Sequence, residues 1–403
     1  MNKNKNFSKR IFGNERKYID EVIESGFRAS TSAKMLNSLE TSFAKTFGVD
    51  HAIGFVNGTA TMHASLEAWG IGSGDEVIVP PLTMAATSFA VLQANATPVF
   101  ADVDLKTFQI SSDSIEKNIT TKTKAIITVS LFGLSPDMDK IMSLAKKYEL
   151  KVLEDNAECY LAKYNNKLVG TFGDCASYSF QNSKHITSGE GGMIITNDID
   201  FADKLRKVQS LGYANVSAKS GKITKDTIQD PNYNRHVTLG WNYRMPELCC
   251  AVALGQTENI SNLVNRRIEV AKLFYDSSSS YHDWFVPQFI PSNCDSSFWT
   301  WAVVLKRDDI NFKIFRDRFK SLGGDGIYAA WKLTYEEPAF EKLKFLNREN
   351  FISPNNLKKY KNNPCPNAKF LQPKLLCFKT NYWDWSDAIN QSNILKETLK
   401  SFG

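Results

Sequence analysis

The chain has no apolar stretch near the roughly 20 residues that cross a bilayer; its longest, such as Ala125–Val129, are far too short. Its first residues, MNKNKNFSKRIFG, contain no apolar segment, so no secretory signal is expected. Cysteine is scarce and unpatterned: there are seven in 403 residues, an odd number, with no CxxC. This argues against a disulfide framework, offers no metal-ligand spacing, and suits reduced thiols in a cytoplasmic protein. No block of five or six like charges occurs, and Lys3, Lys5, Lys9 and Arg10 read as a solvated terminus. A nucleic-acid arm is therefore not expected, while the formal charge of +6 favours a small anionic substrate. A nucleotide P-loop is missing, because GxxxxGKS/T does not occur, and Gly70, Gly72 and Gly74 do not fit GxGxxG. There is no internal repeat and no low-complexity segment.

What is present is an ordinary globular composition, 42% apolar, 12% aromatic and 23% charged, in a chain long enough for two or three domains. From about residue 50 to 200, short β-rich runs alternate with helical stretches, the pattern of a parallel sheet flanked by helices. Strands are predicted at 51–56, 76–79, 97–101, 125–130, 151–153 and 193–196, and helices at 59–69, 87–94 and 138–148. A long helical pattern starts near Met245 and runs through Leu248, Val252, Ile260 and Leu263 to Arg267. Beyond it, 298–305 is strand-like, 312–321 helix-like, and Gly323–Gly326 a sharp turn. The fold class is α/β, with a large unit over residues 1–265 and a smaller one over 266–403. The Asn/Lys/Pro-rich stretch 354–366 reads as a surface loop.

Three segments carry chemistry. In SYSFQNSKHITSGEGGMIITND, Ser177 to Asp198, Lys184 precedes a Gly-Glu-Gly-Gly turn that leads into an apolar strand. A lone lysine is usually a surface charge. Here Ser179 lies five residues before it with a hydroxyl suited to a phosphate, and Gly189, Gly191 and Gly192 permit turns closed to other residues. In Asn57-Gly58-Thr59-Ala60, between a strand and a helix, small residues bare backbone N–H groups where the helix dipole favours an anion; an ordinary capping turn fits as well. In Leu153–Glu158, acids follow an apolar strand. Ligands bind beyond the carboxyl ends of such strands, so an acid there is either a helix cap or a partner for a pyridine nitrogen.

Together these segments resemble the DegT/DnrJ/EryC1/StrS family of pyridoxal-phosphate (PLP)-dependent sugar aminotransferases. The matching residues are Gly58-Thr59-Ala60, Gly74-Asp75-Glu76-Val77-Ile78-Val79-Pro80, Thr83, Ala86-Thr87, Pro98-Val99-Phe100, and Asp102-Val103-Asp104. They continue through Gly133, Pro136, Asp137-Met138-Asp139, Glu154-Asp155, Ser179-Phe180, Lys184, Gly189–Gly192 and Asn242-Tyr243-Arg244-Met245, in order over roughly residues 10–270. The resemblance implies a fold-type I aminotransferase, with a large, mostly parallel sheet domain and a smaller C-terminal α/β domain. It implies that Lys184 is catalytic and holds PLP as a Schiff base, that Asp155 pairs with the pyridine nitrogen, and that Glu158 lies against the ring or its hydroxyl. Gly58, Thr59 and Ser179 would hold the phosphate with Asn242 from a neighbouring subunit, so a homodimer follows, and Ala60 and Met84 would also contact the cofactor.

Two departures stand out. Met84 occupies a position where many relatives stack an aromatic on the ring; a thioether packs there more softly. A dehydratase branch has histidine in place of the lysine, whereas this chain keeps Lys184 and carries His185 next to it, which favours transamination. Substrate contacts are expected from His185, Glu190, Tyr328, Trp331 and Lys332, with Gly326–Lys332 closer to relatives acting on cyclitols and some modified sugars. The implied reaction moves nitrogen from glutamate or glutamine to a keto sugar, nucleotide-linked, for surface polysaccharide or antibiotic sugars. The alternatives are an aminotransferase for a keto cyclitol or an unlinked sugar, a pyridoxamine-dependent dehydratase, and a regulatory protein on the same fold.

Overall fold

The computed structural model describes residues 10–27, 34–218, 226, 229–341, 352, 354–362 and 364–403; Lys3, Lys5 and Lys9 lie outside them. Nine strands come first: β1 His51–Phe55, β2 Glu76–Val79, β3 Thr97–Phe100, β4 Thr123–Val129, β5 Lys151–Asp155, β6 Lys163–Tyr164, β7 Lys167–Leu168, β8 Cys175–Ser179 and β9 Gly192–Thr196. Seven of them form one sheet in the order β1-β9-β8-β5-β4-β2-β3, while β6 and β7 pair as a small hairpin. All neighbours from β8 to β3 run parallel, and β9 runs antiparallel to β1 and β8. A parallel sheet needs helices on both faces, so its strands read as apolar runs without alternation. Val77-Ile78-Val79 and Ala125–Val129 are buried in this way.

Four later strands, β10 Phe285–Pro287, β11 Thr300–Leu305, β12 Ile327–Ala329 and β13 Leu375–Lys379, make an antiparallel sheet in the order β10-β11-β13-β12. One hydrophobic cluster runs from Ile53 of the first sheet to Ala302 and Leu375 of the second, so the two share a continuous core. The helical pattern after Met245 is two helices, Glu247–Glu258 and Ile260–Ser278, broken at Asn259. The division at 265/266 falls inside the second.

Among the described residues, the stretch expected to be a loop at 354–366 is largely helical. Its first eight residues form a helix, Pro354–Lys361, and a second helix begins at Pro366. Asn356 and Tyr360, one turn apart, are buried. The Tyr360 hydroxyl donates to the Pro98 carbonyl, and the Asn356 amide donates to Glu76 at 3.3 Å. Polar composition pointed to solvent, but two spaced side chains dock the helix on the β2–β3 edge.

Candidate active site

β5 runs two residues further than its apolar run, and its period of two sends Glu154 and Asp155 to opposite faces of the sheet. Glu154 turns to the loop after β7, where its carboxylate accepts N–H bonds from Gly170, Phe172 and Gly173, each at 2.7 Å. Asp155 turns the other way. The Thr87 hydroxyl donates to it at 2.9 Å and the Ala157 N–H at 3.2 Å. Burial pushes the Asp155 carboxyl above its usual range, while Thr87, the Ala157 N–H and the nearby Lys184 pull it back. Such an acid gains most from a cation brought against it.

Lys184 lies on the loop between β8 and β9. Its Nζ donates to Glu158 Oε1 at 3.2 Å and stands 4.4 Å from the centre of the Trp299 ring. Glu158 is buried, which pushes its carboxyl upward; the Lys184 charge is the largest opposing influence, and the Phe132 N–H also donates to Oε2 at 3.1 Å. Phe132 has φ 63°, a left-handed conformation that bulky residues rarely adopt. That backbone turn aims its N–H at Glu158. Lysine and both acids thus form one electrostatic cluster at the carboxyl end of β5.

The glycine turn meets the same end of the sheet. Asn57 caps the helix Gly58–Ala68, its side chain accepting the Ala60 N–H at 2.8 Å. The first N–H groups of a helix have no partner inside it, and with that of Ala60 taken, those of Gly58 and Thr59 remain for an anion. A Cβ on Gly58 would stand 2.9 Å from the Ser179 Cβ, so the turn and the last residue of β8 are in contact only because Gly58 is glycine. Gly192 serves likewise, since a Cβ there would meet Asn57 backbone at 2.6 Å.

The other expected residues scatter. Met84 sits one turn before Thr87 and is half exposed, at 52%. Asn242 is exposed on a segment bridged to Ser210, and the adjoining Tyr243 carbonyl accepts the Val56 N–H. Trp331 joins the site: it stacks on Trp299, centroids 5.7 Å apart, and on Phe132 at 6.3 Å. Tyr328 is exposed on β12, and Lys332 is exposed. Glu190 is exposed; burial raises the nearby Cys249 thiol, and the Glu190 charge adds to the rise. His185 is a correction. It has no exposed surface with which to meet a substrate, its ring lies against Tyr160, and its Nε2 is 2.8 Å from the Ser297 carbonyl.

Thr87, Phe132, Trp299 and Arg267 escaped the sequence reading as site residues. Arg267 left a signal, since it stands in the buried stripe Leu263, Val264, Val270, Ala271, Phe274 where an apolar residue belongs. Trp299 left none, because only the fold brings it to Lys184.

The DegT/DnrJ/EryC1/StrS aminotransferase family model matches residues 10–358. GDP-perosamine synthase of Escherichia coli O157:H7 is 38% identical over 270 residues, 67% of this chain and 70% of that protein. Among solved structures, an aminotransferase from Psychrobacter cryohalolentis aligns with a TM-score of 0.82 and 26% identity, over 97% of this chain and 98% of that one. The E. coli GDP-4-keto-6-deoxy-D-mannose-3-dehydratase with bound hydrated PLP aligns with a TM-score of 0.80 and 25% identity, over 97% and 98%. With a family model matched over most of its length, the chain belongs to the DegT/DnrJ/EryC1/StrS aminotransferase family.

Proposed function

We propose that this aminotransferase uses pyridoxal phosphate to move an amino group from glutamate or glutamine onto a nucleotide-linked keto-deoxysugar, a reading supported by the relatives named GDP-perosamine synthase, whose named product is a nucleotide-linked amino sugar. The observation that carries the reading is the cluster of Lys184, Glu158 and Asp155, one amine and two buried acids at the end of one strand.

The residues fit the cofactor. Gly58 and Thr59 N–H groups and the Ser179 hydroxyl suit its phosphate, and Asp155, short of a strong cationic partner, suits a protonated ring nitrogen. Bound there, pyridoxal phosphate supplies an electron sink that makes the amino donor's Cα–H acidic. Lys184 Nζ, as the free neutral amine, would take the proton from that carbon and hand it to the cofactor's C4′, and would carry it the other way when the keto sugar is aminated. Thr87 keeps the Asp155 carboxylate oriented. Trp331 and Trp299 give an apolar wall on which a sugar ring can pack, and Glu158 holds the amine in place through its hydrogen bond.

The partner protomer is expected to bring Asn242 to the phosphate. Val237 and Leu239, just before it, are 55% and 76% exposed, as apolar residues are where a second copy covers them. Burial of His185 leaves it unable to replace the lysine as base, which disfavours the dehydratase reading.

The test is to incubate purified protein, pyridoxal phosphate and glutamate carrying isotopically labelled nitrogen with a panel of keto sugars, and to search for labelled amine by mass spectrometry. A labelled amino sugar from a nucleotide-linked ketone, absent with Lys184→Ala, is expected. Turnover of a keto-cyclitol alone would overturn the substrate assignment, and full activity of Lys184→Ala would overturn the mechanism.

A further inference from the structure

We propose that Arg267 is a positioning residue for Lys184, working with Trp299 and Arg10 to fix the backbone from which the reactive amine swings. The proposal rests on the reading that Lys184 is the reacting amine.

Arg267 lies in the middle of the helix Ile260–Ser278 and is 1% exposed. One arm of its guanidinium, NH1, donates to the Trp299 carbonyl at 2.8 Å and to the Thr380 hydroxyl at 3.3 Å. The other arm, NH2, donates to the Ser183 carbonyl at 2.7 Å and the Lys184 carbonyl at 2.8 Å. Trp299 Nε1 donates to the same Ser183 carbonyl at 3.0 Å, while its ring carries the Lys184 ammonium on its face. Arg10, from the far N-terminal end of the described chain, donates to the carbonyls of Asn182 and Lys184. Three consecutive carbonyls, 182 to 184, are thus held by two guanidinium groups and an indole.

This arrangement is unusual in its charge. Every contact given above goes to a carbonyl or hydroxyl oxygen, and among the described residues neither guanidinium is paired with a carboxylate. Two like charges converge on the Lys184 carbonyl, and both arginines lie within cation–π range of Trp383. A guanidinium is the group for the task, because its rigid planar fork aims two separate arms at carbonyls of two segments, whereas an ammonium offers fewer donors from a single point. The hold matters because a loop residue has no ladder of strand or helix bonds to fix it, and about 1 Å of misplacement of a catalytic group costs on the order of 10²-fold in rate. Since Trp299 precedes β11 and Arg267 lies just past the 265/266 division, the hold also ties the lysine loop to the second sheet.

The experiment uses Arg267→Gln, Arg267→Lys and Trp299→Phe, each in the full chain and well below its melting temperature. Two quantities are read: kcat and KM for the amino donor in the loaded enzyme, and, in cofactor-free protein, hydrogen exchange of amides 181–188 with the labelling rate of Lys184 by an amine-reactive ester. Arg267→Gln is expected to lower kcat by about 30–100-fold with KM changed less than about threefold. The exchange and labelling rates should rise by about tenfold or more. Arg267→Lys should fall between, and Trp299→Phe, which keeps an aromatic face but loses the N–H and part of the ring, should move each quantity in the same direction by less. A folded Arg267→Gln protein with wild-type kcat, exchange and labelling overturns the proposal. So does one whose only change is a lower melting temperature. If Arg267→Gln does not fold, Trp299→Phe decides by the same readouts. Lys184→Ala separates the two readings: if it is inactive while the Arg267 variants behave as wild type, the positioning role fails and the reacting amine stands.

Discussion

Asp155 is an acid held where water solvates its charge poorly, and that cost is the source of its use. Thr87 and one backbone N–H offset part of it, and the protonated ring nitrogen we propose opposite it would offset more. Asp155→Asn keeps the size and removes the charge, so the donor half-reaction should slow by about 10²–10³-fold, as for loss of other preorganised electrostatic groups; single-turnover absorbance with glutamate measures it. His185 gives a second result of opposite sign. Burial, with Arg267, Arg10 and Lys184 nearby, pushes its pKa well below 6.5. Below pH 6.5 the unfolded chain therefore binds a proton there that the folded chain does not, and stability falls as pH falls. This group contributes a loss of up to about 1.4 kcal/mol per pH unit. Denaturant unfolding of His185→Asn between pH 7 and 5 should show a shallower decline than wild type; equal slopes would remove His185 as the cause.

Among the elements, β5 shows how one strand serves two ends. The same alternation that gives Asp155 to the site gives Glu154 to the 170–173 turn, where it binds three backbone N–H groups. Glu154→Gln would turn an amide N–H₂ against one of those donors. The expected cost is about 1–3 kcal/mol in urea unfolding, with the turn's amides exchanging faster. The loops are where sequence reading lost ground. The motif residues on strand ends were legible because glycine, buried acid and lysine are unusual there. The helix Pro354–Lys361 was not, because its asparagines and lysines suit solvent and only docking against Pro98 and Glu76 selects which side chains go inward.

The whole molecule is expected to work as a pair. A protein carrying Lys184→Ala and one carrying Asn242→Ala should each be nearly inactive. Mixed by co-unfolding and refolding, random pairing puts both changes into one site of each hybrid and leaves its other site intact, so about a quarter of wild-type activity should return. No recovery would place Asn242 in its own protomer's site or outside any. The family match and the mostly parallel sheet were within reach of the sequence, because near-continuous apolar runs, glycine turns and acids at strand ends are local patterns of residue type. The aromatic wall of Trp299, Trp331 and Phe132, the hold of Arg267 on the lysine loop and the burial of His185 were decided only by tertiary structure. Residues separated by up to about two hundred positions meet there, and whether a charged or aromatic side chain faces water or its neighbour depends on which segments pack against it.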